Sequence, residues 1–165
     1  MKFIRRSQRV AFMDTDTTGQ TPKYERMKKF TSFGNSKNPK QYNRQYVDED
    51  TETGDVVGYA PSISYSFDRH TQNSVHERIA AIHDGEMLGD DTHVSIVIVD
   101  LFTKTEGGVC DAIKRTYSVI PDADGSSTDA LIYSGTLKAV SGIEKGTATV
   151  SDDGLTATFS EAASA

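Results

Sequence analysis

Histidine and cysteine are the residue types in this sequence best suited to metal binding or nucleophilic catalysis. Four histidines, His70, His76, His83 and His93, fall within 24 residues, and Cys110 is the only cysteine. On one helix, His76 and His83 would lie about 10 Å apart along the axis, and one ion at about 2.1 Å from each nitrogen cannot bridge that distance. We therefore expect capping, packing or surface roles for the histidines, with no metal and no cofactor.

Other catalytic patterns are missing from the sequence. It contains no Gly-rich phosphate loop, no Cys-x-x-Cys, no His-Glu-x-x-His and no nucleophile elbow. Cys110 stands in a strand pattern, which is more typical of a small buried apolar residue than of a nucleophile. The carboxylate pairs Asp90-Asp91 and Asp152-Asp153 stand in turn-like positions. We predict no catalytic residues and a protein that is not an enzyme.

Length and composition favour one domain spanning residues 1–165. The longest aliphatic run, Ile96 to Val99, is far shorter than the ~20 residues that a membrane span needs. The basic start, Met1 to Arg6, is not followed by an apolar segment of about 7 to 15 residues, so classical secretion is not expected. A single cysteine allows no internal disulfide. These features favour synthesis in the cytoplasm, with no membrane partner.

Charge is divided unevenly along the chain. Residues 1–46 hold 11 Lys/Arg and 3 Asp/Glu, whereas residues 47–165 hold 7 and 21. A basic head can indicate nucleic-acid binding, and Arg5, Arg6 and Arg9 interleave with Phe3 and Phe12 in a way that suits it. The acidic body would repel phosphates. Two alternatives remain open: the basic head of one copy meets the acidic body of another, or both are solvated surface.

The second half of the sequence predicts strands separated by turns. Ser62 to Asp68 alternates apolar and polar residues, as in a strand with one buried face. Thr92 to Phe102 is apolar on both faces, which favours a central strand. Further strands are predicted at Cys110 to Ile120, before a turn at Asp122 to Ser127, and at Asp129 to Val140. Asp153-Gly154 predicts a final hairpin that joins Thr147–Val150 to Leu155–Phe159.

One helix is predicted near residues 75–84. Ser74 and Glu77 fit a capping box, Val75 and Ile79 share a helical face, and Gly85 follows as a cap. The first 60 residues are less regular. Short strands are predicted at Val10–Met13, Met27–Phe33 and Gln41–Val47, with polar stretches from Gly34 to Pro39 and from Asp48 to Asp55 that we expect to be exposed and mobile unless a partner orders them.

Several stretches of the chain resemble phage tail tube proteins of the kind carried by phages of Gram-positive bacteria. The resemblance rests on Asp55–Arg69 and Asn73–His76, on Val94–Phe102, on Tyr24–Met27 and Lys37–Glu49 near the N-terminus, and on the final hairpin with Asp153-Gly154. Together these stretches cover most of the chain. They are family-like sequence segments, and none is a catalytic signature.

The resemblance implies a mainly β, sandwich or barrel-like domain with one flanking helix and a long polar loop. Six copies would form a ring, and stacked rings would form a hollow tail tube through which phage DNA passes without specific binding. Residues 1–13 would be an N-terminal arm and residues 34–58 an inter-subunit or inter-ring loop. The candidate contacts between copies are Arg5, Arg6, Arg9, Lys37, Lys40, Arg44, Asp48, Glu49 and Asp50.

The partners implied by the resemblance are other copies of the chain and the tape-measure, tail terminator and distal tail proteins. Its location would be the virion tail, assembled in the host bacterial cytoplasm. The acidic body suggests a negative bore that repels DNA. The alternative is a monomeric or dimeric β-sandwich binding module of the carbohydrate or adhesin type. The absence of Trp disfavours it, although seven Tyr leave aromatic contacts available.

Overall fold

The structure is a computed structural model that describes residues 1–125 and 127–163. It is mainly β, with one α-helix among the described residues. The strands and the helix, in chain order, are β1 (Arg9–Asp14), β2 (Tyr24–Arg26), β3 (Phe30–Ser36), β4 (Pro39–Arg44), β5 (Thr53–Tyr59), β6 (Ser62–Asp68), α1 (Ser74–Asp84), β7 (His93–Asp100), β8 (Val109–Asp124), β9 (Ile132–Ala139), β10 (Glu144–Val150) and β11 (Thr156–Glu161).

Six strands close into a small barrel in the order β10-β11-β2-β1-β7-β8. The closure is made by β10, which pairs antiparallel with β8 from Glu144 opposite Lys114 to Thr149 opposite Val109. The barrel interior holds the aromatic side chains of Phe12 and Tyr24 together with small ones such as Cys110, Ala112 and Ala148. A six-stranded barrel has a narrow interior, so large rings fit there only beside small residues.

Strand β8, sixteen residues long, takes part in both the barrel and a second part of the sheet. Its first part closes the barrel, and its last part, from Tyr117 to Asp124, pairs with β9. The sheet then continues through β9, β6 and β3. We call this four-stranded unit, the last part of β8 with β9, β6 and β3, the flanking sheet. A bulge between Pro121 and Ala123 bends β8 within the flanking sheet.

A second core lies between the barrel wall and the flanking sheet. Along β7, Val97 and Val99 point into the barrel, whereas Val94 and Ile96 point into this second core. Alternate residues of β6, such as Tyr65 and Phe67, close it from the other side. The structure confirms that β7 is central and covered on both faces, because β1 and β8 flank it and both faces are buried.

Helix α1 packs into the second core and contributes Val75, Ile79 and Ile82 to it. The helix is confirmed, but the predicted cap is wrong by one residue. Asn73 is the N-cap, and its side chain accepts a hydrogen bond from the His76 N–H at 3.3 Å. Among the described residues, no helix is long and apolar enough to cross a membrane.

The N-terminal third departs most from the sequence prediction. The arm ends at Gln8, because Arg9–Asp14 is a barrel strand in which Phe12 and Met13 are fully buried. The strand predicted at Met27–Phe33 starts only at Phe30, as β3, because Lys29 before it adopts a positive φ of 62° that a strand residue cannot keep. We call residues 1–8 the N-terminal arm.

The long polar loop predicted at residues 34–58 is instead the end of β3 followed by a two-stranded hairpin. Strands β4 and β5 pair antiparallel with each other from Pro39 opposite Tyr59 to Arg44 opposite Thr53, and form a separate sheet. Nearly every side chain in them is exposed. We call residues 39–59 the hairpin arm.

The remaining strand predictions are confirmed with shifted ends. Strand β6 spans Ser62–Asp68 as predicted, and the C-terminal hairpin pairs Val150 with Ala157 across the predicted turn. Strand β8 runs on to Asp124, into the turn predicted at Asp122–Ser127, and Ser126 of that turn lies outside the described residues. Strand β9 is shorter than the predicted Asp129–Val140.

Replacing Val99 by Asp should unfold the domain. Val99 is 0% exposed in the barrel and pairs with Val10 and Ala112, so an aspartate there would be a buried, unpaired acid. We expect a loss of about 4 kcal/mol or more in the free energy of unfolding, measured by urea unfolding with circular dichroism. The control is Val57→Asp at a 65% exposed site of the hairpin arm. Equal unfolding midpoints for the two variants would contradict the assigned barrel core.

Candidate inter-subunit surfaces

The histidines are placed as structural groups. His76, on α1, is fully buried, and its Nδ1 accepts a hydrogen bond from the His70 N–H at 3.1 Å. The other ring nitrogen, Nε2, donates to the Lys28 carbonyl at 2.9 Å. Both nitrogens are therefore satisfied by the backbone in the neutral ring. Within residues 1–125 and 127–163, no group of three or more His, Cys, Asp or Glu is arranged to hold a metal ion.

His83 and Cys110 also take part in packing. Burial raises the pKa of the Tyr65 hydroxyl, so Tyr65 stays protonated and donates to His83 Nε2 at 2.6 Å. Cys110 lies in the barrel interior, 2% exposed, and burial raises the pKa of its thiol. A thiol of raised pKa is a poor nucleophile at neutral pH.

The flanking sheet has two edges without a partner strand among the described residues. At one end, β3 pairs with β6 alone. At the other, the pairing of β8 with β7 stops at Ser118 opposite His93, so Val119–Asp124 pairs with β9 alone. Unpaired edges offer rows of free N–H and C=O groups to another strand. Neither edge could be located from the sequence, because an edge is a property of the topology.

The outer face of the flanking sheet is lined by hydroxyl groups. On β6 the positions that alternate with the core are Ser62, Ser64 and Ser66, and on β9 they include Ser134 and Thr136. Strand β3 adds further small residues, Ser32, Gly34 and Ser36. The charged side chains in register on β6 and β9 of this face are Asp68 and Lys138, at opposite ends of β6. On β3, β6 and β9 this face is therefore mostly polar, with one charged side chain of each sign, and Ile120 of β8 and Ile132 of β9 add apolar groups to it.

The candidate basic residues divide into two groups. Arg6 donates from its guanidinium to the Arg9 carbonyl at 2.6 Å and to the Phe33 carbonyl at 3.4 Å, which holds the N-terminal arm beside β3. Arg9 forms an ion pair with Asp100 at 3.4 Å, and Lys37 lies just past the end of β3. The structure thus brings Arg6, Arg9 and Lys37 to one region, beside the edge strand.

The other candidates lie elsewhere. Lys40 and Arg44 are exposed on β4 of the hairpin arm, and Arg5 is exposed on the N-terminal arm. The acids Asp48, Glu49 and Asp50 form the turn at the tip of the hairpin arm, and all three are exposed. Within one copy, the length of β4 separates these acids from Lys37 at the base of the hairpin arm, whereas Arg44 ends β4 close to the tip.

The buried histidines make stability depend on pH. Burial lowers the pKa values of His76 and His83 below their usual value, so the unfolded chain binds more protons as pH falls below about 6.5. The contribution of these two histidines to stability is therefore complete above that pH and is lost as the pH falls below it. We expect the drop in Tm between pH 7.5 and 5 to be smaller in His76→Gln than in the wild type. The control is His93→Gln, at a partly exposed site, which should show the same drop as the wild type. Equal drops in wild type and His76→Gln would contradict the burial of a neutral His76.

No protein-family model matches the chain, and no curated protein matches it either. Solved structures share its fold. A chain in the tail of an empty GTA particle, refined helically with C6 symmetry, matches with a TM-score of 0.61 at 11% identity, over 87% of this chain and 98% of that one. The SPP1 tail tube matches with a TM-score of 0.59 at 16% identity, over 86% and 78%. A chain of the anti-feeding prophage baseplate, symmetrised six-fold, matches with a TM-score of 0.50 at 10% identity, over 88% and 97%.

Proposed function

We propose that this chain is the structural subunit of a hollow phage-type tail tube, in which copies form rings and the rings stack. The observation that carries the proposal is a flanking sheet with two open edges, in a fold shared with tail structures. A β-sheet that ends in unpaired strands is incomplete in water, because both edges remain open to pairing with other chains. Assembly with identical copies completes it.

Ring closure follows from pairing unlike edges. The edge of β3 in one copy would pair with Val119–Asp124 of β8 in its neighbour. This contact is heterologous, since the two surfaces differ, and a heterologous contact closes into a ring when the rotation between copies allows it. Six copies per ring agree with the C6 symmetry of the GTA particle tail. A closed ring of flanking sheets would leave no open edges.

The hydroxyl face would then line the bore. Helix α1 and the barrel cover the opposite face of the flanking sheet, so this face is the one free to enclose a channel. Serine and threonine side chains bring no cation to bind phosphates, which suits DNA that passes without specific binding. This wall would be polar and nearly neutral, unlike the negative bore predicted from the net charge, and the acidic groups would lie on other surfaces.

Stacking of rings would use the two arms. The N-terminal arm and the hairpin arm project from the domain with exposed apolar side chains, among them Phe3 at 85% and Val47 at 109%. Exposed apolar groups of this size are typical of segments that become buried in a partner. The residues that we propose for these contacts are Arg5, Arg6, Arg9, Lys37, Lys40, Arg44, Asp48, Glu49 and Asp50.

In this account the protein has no catalytic role and needs no cofactor. Its partners are other copies of itself and, at the ends of the tube, the tape-measure, tail terminator and distal tail proteins. Its place is the virion tail, after assembly in the host bacterial cytoplasm. The net charge is −6, and basic and acidic residues are concentrated in different parts of the chain. We therefore expect the extent of assembly to depend on salt concentration.

The test is negative-stain electron microscopy of the concentrated protein at low and high salt, with light scattering for the mass in solution. We expect hollow tubes or rings at low salt and shorter tubes at high salt, because exposed charge pairs are screened. Reversing charge at Lys37, Lys40 and Arg44 should leave a folded protein that forms rings or monomers without long tubes. Reversal at Lys104 and Lys145, exposed and outside the arms, is the control.

Two results would contradict this account. A monomer at every concentration and salt, with a folded circular dichroism spectrum, would favour the binding-module alternative. Normal tubes from the variant with three reversed charges would show that these basic residues do not carry the stacking.

A further inference from the structure

A basic groove lies beside the edge strand of the flanking sheet. The space between β1 of the barrel and β3 opens into two adjoining cavities of about 260 and 420 Å³. Both are lined by Arg6, Arg9, Val10, Ala11 and Phe33. An engineered cavity of about 150 Å³ holds a benzene molecule, so the groove has room for more than one apolar side chain.

The groove has an apolar floor and a basic rim. Ala11 and Phe33 form the middle of the floor, which Met27 and Ile98 extend at its two ends. The rim carries five basic side chains and no acidic one among the lining residues: Arg6, Arg9, Arg26, Lys29 and Lys37. An apolar surface bordered by charge of one sign fits a segment that combines apolar anchors with the opposite charge.

The positive charge of the rim is largely uncompensated within one copy. Arg9 pairs with Asp100, while Arg6, Lys29 and Lys37 take part in none of the ion pairs found in residues 1–125 and 127–163. Arg6 is held in place by hydrogen bonds to two backbone carbonyls, which leave its charge unneutralised. The rim is therefore free to attract an acidic partner.

The tip of the hairpin arm has the complementary composition. Tyr46 and Val47 are 53% and 109% exposed, and the acids Asp48, Glu49 and Asp50 follow them directly. The Glu49 N–H donates to the Tyr46 carbonyl at 3.1 Å, and Gln45 Nε2 donates to the Glu49 carbonyl at 3.2 Å. These bonds fix the turn before binding, which reduces the entropy lost when it docks.

A copy cannot place its own tip in its own groove. The hairpin arm begins at Pro39, next to Lys37 of the groove rim, and β4 pairs with β5 over its whole length. Six paired residues hold the tip about 20 Å from the base. Bringing Val47 back to the groove would require the β4–β5 pairing to break, so an occupant of this kind comes from a different copy.

We propose that the tip of the hairpin arm of one copy docks in the basic groove of another, with Tyr46 and Val47 on the apolar floor and Asp48, Glu49 and Asp50 against the rim. The proposal rests on the proposed function. It limits the contact between stacked copies to two surfaces, the tip of the hairpin arm on one copy and the basic groove on the other. Each copy carries one tip and one groove, so the contact is heterologous and can propagate along a stack. Lys40, Arg44 and Arg5 lie outside it.

Cysteine cross-linking tests the docking directly. Val47→Cys places a thiol at the tip, and Asn35→Cys places one at an exposed position that lines the groove. Cys110 is the only native cysteine and is buried, so it does not compete. Under mild oxidation, we expect the double variant to give a ladder of dimers, trimers and longer species on a non-reducing gel. A mixture of the two single variants, one carrying a size tag, should give the mixed dimer.

The control pairs Val47→Cys with Leu88→Cys. Leu88 is 83% exposed and precedes the N-terminal end of β7, whereas Ile98 of the groove lies near the other end of that strand. We expect no ladder from this control. Tubes seen by microscopy in the double variant, without a ladder, would overturn the docking and leave the tube intact. A ladder of equal strength from the control would overturn it as well, since the contact would then be unspecific.

Discussion

The pairing of backbone groups along β8 is the constraint on which the rest of the structure depends. A strand of sixteen residues is too long for the small barrel, so its first part pairs with β7 and β10 and its last part leaves to start the flanking sheet. The barrel satisfies its own backbone by closing on itself. The flanking sheet satisfies its interior strands only, and the edges at β3 and at Val119–Asp124 need a partner. Self-assembly is the simplest source of that partner.

The two cores make these edges rigid enough to serve as templates. The barrel interior is filled by Phe12, Tyr24 and small aliphatic side chains, and the layer between barrel and flanking sheet is filled by aromatic and aliphatic side chains and by α1. Phe67 stacks on His76 with ring centroids 4.3 Å apart and on Tyr133 at 5.6 Å, which ties β6, α1 and β9 together. Because the flanking sheet is buried on one face, its register is fixed, and an incoming edge strand meets a defined pattern of donors and acceptors.

Elements with one or both faces buried could be predicted from the sequence. The alternation in Ser62–Asp68 and the apolar run in His93–Asp100 identify β6 and β7, because burial leaves a period of two or a continuous run. Of the hairpin arm, the sequence indicated only β4, through the strand predicted at Gln41–Val47, and β5 was missed. Its strands are exposed on both faces, so no apolar period marks them. The late start of β3, after Lys29, depends on a positive φ that the residue type does not reveal.

The candidate surfaces were only partly predictable, for a related reason. Charged residues can be listed from the sequence, but their grouping depends on pairings between distant segments. Arg6 and Lys37 share a groove because β3 lies beside the second core that β1 borders, and the barrel closes because β10 returns to β8. Neither relation leaves a local signal. The open edges of the flanking sheet follow from the same long-range pairings and became visible only in the folded chain.

The most direct test of the account is amide hydrogen exchange, compared between dilute monomer and concentrated, assembled protein. The account predicts that amides in β3 and in Val119–Asp124 exchange faster in the monomer and become protected on assembly, because each edge then pairs with a neighbouring copy. Strands β10 and β11 pair within one chain and serve as the internal reference. Assembled protein in which both edges exchange as fast as in the monomer would contradict the claim that edge pairing builds the tube.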